Sequence, residues 1–128
     1  MLLDSNVIIE VFRNPSSSPR FKKIVREIGD EGVFVSMVQL AEVADWSVRN
    51  RISSKDRVNA IKEFARVVPL DEPTCLDAAM IKYQRRQLGY ADFGLLDAIV
   101  LAAARSVGQR VLTFDKDFAG ESDCLVIS

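Results

Sequence analysis

Short apolar runs alternate along this chain with longer stretches in which apolar positions recur at helical spacing. The runs at Met1 to Asp4, Val33 to Val35, Val67 to Leu70, Arg110 to Thr113 and Cys124 to Ile127 predict strands, mostly buried on both faces. The stretches between them predict helices. The first opens directly after Asp4, with Ser5 or Asn6 as N-cap and Val7, Ile8, Val11 and Phe12 as its apolar face. Arg13 to Pro19, with two prolines and three serines, reads as an exposed loop. Phe21, Ile24, Val25 and Ile28 mark the second helix, followed by a turn bracketed by Gly29 and Gly32. Ser36 caps a third, with Met37, Leu40, Ala41, Ala44 and Val48 predicted on its core side. Ser54 starts a fourth, with Val58, Ile61, Phe64 and Ala65 facing inward. Asp71-Glu72-Pro73 separates the third strand from a long helix over about Thr74 to Leu88, which Gly89 ends as a C-cap. A loop with Tyr90, Asp92 and Gly94 then leads to the helix Leu95 to Val107, stopped by Gly108.

Strands alternating with helices, without a repeat or a linker, predict one α/β domain over residues 1–128. Its sheet is mostly parallel and covered by helices on both faces. In such folds ligands bind beyond the carboxyl ends of the strands, near the reversal of strand order. Asp4 and Asp115 both fall at that end of their strands, so they meet if those strands are neighbours. Composition adds little: 48% hydrophobic and 27% charged residues describe an ordinary folded domain. The net charge of −1 means that any nucleic-acid affinity must come from a local basic patch or from bound metal. The longest apolar run, Ala98 to Ala104, falls far short of the roughly 18 residues of a membrane span. The start Met1-Leu2-Leu3-Asp4 carries no secretory pattern. Cys75 and Cys124, far apart in sequence, read as small buried hydrophobes in a reducing compartment, so a cytoplasmic protein is expected.

Candidate chemistry lies in the carboxylates. Asp4 closes the first apolar run, Asp97 stands in an apolar helix, and Asp115 follows Val111, Leu112 and Thr113. A carboxylate beside apolar core costs free energy unless a charge compensates it, and the chain has no histidine. A hard divalent cation is the simplest compensator, since Mg²⁺ and Mn²⁺ prefer oxygen ligands. Asp97 has a second reading, as an N-cap or partner of its helix dipole. Glu42 shares a helical stripe with Val38, Asp45, Trp46 and Arg49, away from the predicted core side. It is either a solvated glutamate or a metal ligand; the like charge of Asp45 at i+3 gives it no local role.

The stretches Leu3-Asp4-Ser5-Asn6-Val7-Ile8-Ile9, Val35-Ser36-Met37-Val38-Gln39-Leu40-Ala41-Glu42-Val43, Leu96-Asp97-Ala98-Ile99-Val100-Leu101-Ala102-Ala103-Ala104 and Val111-Leu112-Thr113-Phe114-Asp115-Lys116-Asp117-Phe118 resemble the PIN-domain nucleases. They are most similar to the VapC-type toxins of toxin-antitoxin pairs. The motifs match in order and spacing over essentially the whole chain, although Asn50 to Tyr90 matches only in pattern. The resemblance implies a three-layer α/β/α sandwich with a sheet of four to five strands. It also implies a Mg²⁺- or Mn²⁺-dependent endoribonuclease with Asp4, Glu42, Asp97 and Asp115 as its catalytic and metal-holding acids and Thr113 as their polar companion. An antitoxin protein that fills or blocks the acidic pocket and a homodimer are implied by the same analogy.

Phosphodiester hydrolysis suits these residue types, because metal ions can activate water and stabilise both the phosphorane-like charge and the leaving alkoxide. If two ions bind, they should lie about 3.5 to 4 Å apart with Asp4 as the shared bridge. Asp117 reads as a water-mediated ligand or a cap of the turn that follows, and Asn6 as a partner of a coordinated water or a helix cap. Ser5 has the same two readings, and Asp92 is a steering charge or a loop cap. Lys82, Arg85 and Arg86, with Arg13, Arg20, Lys22 and Lys23, form either a positive rim for phosphates or solvated helix faces. Trp46 and Tyr90 either stack on unpaired bases or are buried. Two further readings are a catalytically silent RNA- or protein-binding module, which loss of an acid would mark, and a housekeeping RNA-processing nuclease. A phosphotransfer domain would need an acid where Asn6 stands, and an RNase-H-like fold would open with antiparallel strands.

Overall fold

A computed structural model describes residues 1–128. Five strands, β1 (Leu2–Leu3), β2 (Phe34–Ser36), β3 (Arg66–Val68), β4 (Val111–Thr113) and β5 (Cys124–Val126), form one sheet in the order β3-β2-β1-β4-β5. Every pairing is parallel, with Leu2 opposite both Phe34 and Val111 and Leu3 opposite Leu112. Six helices connect them: α1 (Ser5–Arg13), α2 (Pro19–Ile28), α3 (Met37–Arg49), α4 (Ser54–Phe64), α5 (Glu72–Gln87) and α6 (Leu95–Ser106). A single 3₁₀ turn spans Lys116–Phe118.

The side-chain alternation of a strand splits the core into two layers. Leu2 and Val111 point into a cluster with Ala78, Ile81 and the buried run Ala98 to Ala104, so α5 and α6 cover that face. Met1, Leu3, Val35 and Leu112 point the other way, against Val7, Ile8, Ile24, Val43 and Ile61 of α1 to α4. The expected three-layer α/β/α sandwich therefore forms, with all five strands parallel.

Local chemistry differs from expectation at four places. The N-cap of α1 is Asp4 itself, not Ser5 or Asn6; its carboxylate accepts from the Ser5 N–H at 2.8 Å, so β1 ends one residue early. The core side of α3 is Gln39, Val43 and Ser47, while Met37, Ala41 and Val48 are exposed. Two polar residues can face inward because each is satisfied internally. The Ser47 hydroxyl donates to Val43 O at 2.8 Å. Gln39 accepts from the Ser36 N–H at 2.7 Å and donates to Leu3 O. Phe64 is partly exposed, its ring edge-on to Phe12 at 6.4 Å. Finally, Cys75 is exposed, because α5 buries the stripe Thr74, Ala78, Ile81 and Arg85 and Cys75 lies one position off it. Cys124 is half-buried, and burial pushes its thiol up to about 12. No helix is long and apolar enough to cross a membrane.

Candidate active site

Strand order reverses at β1, which has β2 on one side and β4 on the other. The chain therefore opens a crevice at the carboxyl ends of these strands, where Asp4 and Asp115 stand. The Asp4 N–H extends the ladder by donating to Leu112 O at 2.9 Å. Its carboxylate, 6% exposed, accepts from the Ser5 N–H and, at 2.7 Å, from the Thr113 hydroxyl. The Thr113 oxygen in turn accepts from the Asp115 N–H at 3.0 Å and from the Asn6 amide at 3.3 Å. Asn6 Oδ1 accepts from the Phe114 N–H at 3.2 Å. Thr113 and Asn6 thus tie the end of β4 to the start of α1, and Asn6 caps nothing.

Helix starts bring in the other acids. Asp97 sits at the third position of α6, and its Oδ2 accepts from the Gly94 N–H at 2.9 Å. It is both a helix-start partner and a member of the cluster. Asp115, not Asp117, caps the 3₁₀ turn, accepting from the Asp117 N–H at 2.9 Å. Glu42 lies in the second turn of α3, whose position is set by the capping box of Ser36 and Gln39 and by the bond from Gln39 to β1. Ser5 of α1 lines the same cavity as Glu42.

Electrostatics show that these side chains feel one another. Burial raises the Asp4 carboxyl to about 6 against the hydrogen bonds from Thr113 and Ser5, and the like charges of Asp97 and Asp115 add to the rise. Glu42 is raised by burial first and then by Asp4 and Asp97. Asp97 is raised by burial, opposed by its bond from Gly94, with Asp115 and Asp117 pushing the same way. None of the four acids, nor Asp117, takes part in an ion pair. An unpaired group of acids whose negative charge burial and mutual repulsion disfavour fits a hard divalent cation, since all its donors are oxygens. No three of them close on a common point as ligands of one ion would.

The remaining sequence candidates scatter. Arg13, Arg20, Lys22 and Lys23 belong to the α1–α2 side, and Lys82, Arg85 and Arg86 to the opposite layer. Arg20 pairs with Glu10 at 2.8 Å and lies over the Phe114 ring, and Arg13 meets the same Glu10. Lys23 donates to Ser128 O. Asp92 is exposed in its loop and Trp46 is half-buried. Arg85 belongs to no rim: it is 2% exposed, stacked on Tyr90 at 3.8 Å and bonded to Glu121 and to the carbonyls of Asp117 and Ala119. It fastens the loop after Asp115 to α5, a role no sequence pattern announces because arginine is normally a surface residue. Tyr90 covers it and is not free to stack on a base. Gln39 escaped the sequence reading for a similar reason, although its place three residues after Ser36 is a capping-box signal.

The sequence profile of the PIN domain matches residues 1–120. Among solved structures, the chain is similar to one in a toxin-antitoxin complex from Klebsiella pneumoniae, with a TM-score of 0.77 at 19% identity over 98% of this chain and 95% of that one. A chain of VapBC2 from Rickettsia felis, bound to a DNA fragment from its promoter, gives 0.75 at 12% identity over 98% and 96%. FitAcB from Neisseria gonorrhoeae gives 0.69 at 23% identity over 99% and 96%. No curated protein matches by sequence.

Proposed function

The chain belongs to the PIN domain family, and on that premise we propose that it is a Mg²⁺- or Mn²⁺-dependent endoribonuclease, the toxin of a toxin-antitoxin pair. The observation that carries this reading is the approach of Asp4, Glu42, Asp97 and Asp115 at the reversal of strand order with no basic partner. Asp4, Asp97, Glu42 and Asp115 would hold the cation. When bound, it would supply Lewis acidity to activate water and to stabilise charge on the attacked phosphate.

The rest of the work falls to the chain. One oxygen of Asp97 and one of Asp115 are held by backbone N–H groups, which aims the other oxygen of each. Thr113 holds Asp4 Oδ2, and the Ser5 N–H holds Oδ1. These contacts fix the orientation of Asp4, Asp97 and Asp115, and a bound ion would have to draw them and Glu42 together.

Partners follow from exposed apolar surface. An all-apolar cleft of about 300 Å³ lies among α1, α2 and α4, with Val25 and Phe64 open to solvent at its edge. It suits apolar side chains of an antitoxin segment. On α5, Leu76, Met80 and Tyr83 are exposed at i, i+4 and i+7 and form a stripe on one helix face, which supports a homodimer through that face.

The test of the nuclease reading uses single-stranded RNA with Mn²⁺ or Mg²⁺, then with EDTA, beside Asp4→Asn and Asp97→Asn. Wild-type protein should cut, and EDTA or either substitution should reduce cutting to background while circular dichroism shows the fold intact. Equal cleavage by all three proteins would overturn the assignment.

A further inference from the structure

Of the four acids, only Glu42 also lines a cavity. A cavity of about 410 Å³ continues from Glu42 along α3 to Asp45 and Arg49, walled by Ile9 of α1, Val38 of α3 and Leu96 of α6. Its volume is within the roughly 300 to 1,000 Å³ of sites that hold small organic groups. Because Glu42 belongs to both the cavity wall and the acidic cluster, the cavity adjoins the acids, and one nucleotide chain can reach both.

Attack on a phosphate uses the acids alone; it gives no reason for three aliphatic walls ending in an ion pair. At that end Arg49 Nε donates to Asp45 Oδ2 at 3.1 Å, one helical turn away, and both side chains are largely exposed. A surface pair of this kind contributes little to folding. It does present a carboxylate beside the unused donors of a guanidinium, at the mouth of an apolar slot.

Taking the chain to be a ribonuclease, we infer that this cavity is a base-binding subsite for the unpaired nucleotide next to the scissile phosphate, and that guanine is the base it takes. Aliphatic side chains cover the faces of an unstacked base, while its edge must find polar partners. A carboxylate only accepts hydrogen bonds, and among the four RNA bases only guanine offers two adjacent donors, N1–H and the 2-amino group. Its O6 and N7 are the acceptors that arginine reads best. Asp45 therefore takes the donor edge and Arg49 the acceptor edge.

Binding measured in EDTA isolates the subsite from cleavage. The probes are a fluorescent RNA hexamer with one guanosine among uridines and the same hexamer with inosine, which lacks only the 2-amino group. Wild-type protein should bind the guanosine hexamer about tenfold more tightly. Both Asp45→Asn and Arg49→Met lie at exposed helix positions and should keep the helicity. Asp45→Asn should lose that difference, whereas Arg49→Met should weaken both hexamers alike, since inosine keeps O6 and N7. Equal binding of the two hexamers by wild type, a preference that survives Asp45→Asn, or affinities that Arg49→Met leaves unchanged would overturn the subsite. A protein that prefers guanosine yet never cuts RNA in Mn²⁺ would overturn the ribonuclease reading and leave the subsite standing. One that cuts without distinguishing the hexamers would do the reverse.

Discussion

Asp4 carries the largest conflict in the molecule. It must end a buried strand, cap α1 and lie among other acids, and its carboxyl rises to about 6 as a result. An acid whose folded pKa exceeds its ordinary value binds more protons folded than unfolded, so its contribution to stability is fully present below about 3.8 and lost as pH climbs through about 6. At roughly 1.4 kcal/mol per unit, the loss is about 3 kcal/mol. Glu42 and Asp97 are raised as well and act in the same direction. In EDTA, the melting temperature should therefore fall between pH 4 and pH 7. Asp4→Asn should flatten this dependence and melt higher than wild type at pH 7, because the amide carries no charge to bury and its oxygen still accepts from the Ser5 N–H. A wild-type protein equally stable at both pH values would contradict this account. Mg²⁺ should reverse the penalty by binding only the folded state.

Elements, more than residues, set where the acids stand. Glu42 reaches the site because Gln39, buried one turn earlier, bonds β1 and the start of α3 together. Asp115 and Asp117 are held because Arg85 of α5 fastens the loop behind them, through Glu121 and two backbone carbonyls. Arg105 of α6 pairs with the same Glu121 and with Asp123 at 2.7 Å. Arg85→Met should cost about 3 kcal/mol in urea denaturation, since the carbonyls of Asp117 and Ala119 would lose their buried donor. Limited proteolysis should then nick the chain between residues 116 and 123. Unchanged stability would mean that the loop holds itself. The α3 face shows why patterning misled here. Apolar spacing favoured Met37, Ala41 and Val48, but Gln39 and Ser47 satisfy themselves inside and turn the helix away from that side.

At the scale of the whole molecule, the sheet divides two helical layers with different exposed surfaces. The α1–α4 side holds the apolar cleft, and the α5–α6 side holds the stripe of Leu76, Met80 and Tyr83. If that stripe joins two copies, sedimentation should show a species of twice the 14.3 kDa chain mass. Met80→Glu should convert it to the monomer by burying a charge without a partner. A monomer in the wild type would remove the dimer and leave the active site as described.

The order of strands and helices and the helix starts at Ser36 and Leu95 were legible in the linear pattern, because periodicity and short motifs depend on neighbours in the chain. The acids Asp4, Glu42, Asp97 and Asp115 were candidates from their motifs' resemblance to the PIN family, not from periodicity. Which face of α3 turns inward was not legible. Nor were the exposure of Cys75, the burial of Arg85, or the slot between Ile9, Val38 and Leu96 that ends at Arg49. Each of these depends on partners remote in sequence: a polar side chain can be buried only where distant backbone groups meet it, and no local pattern records that meeting.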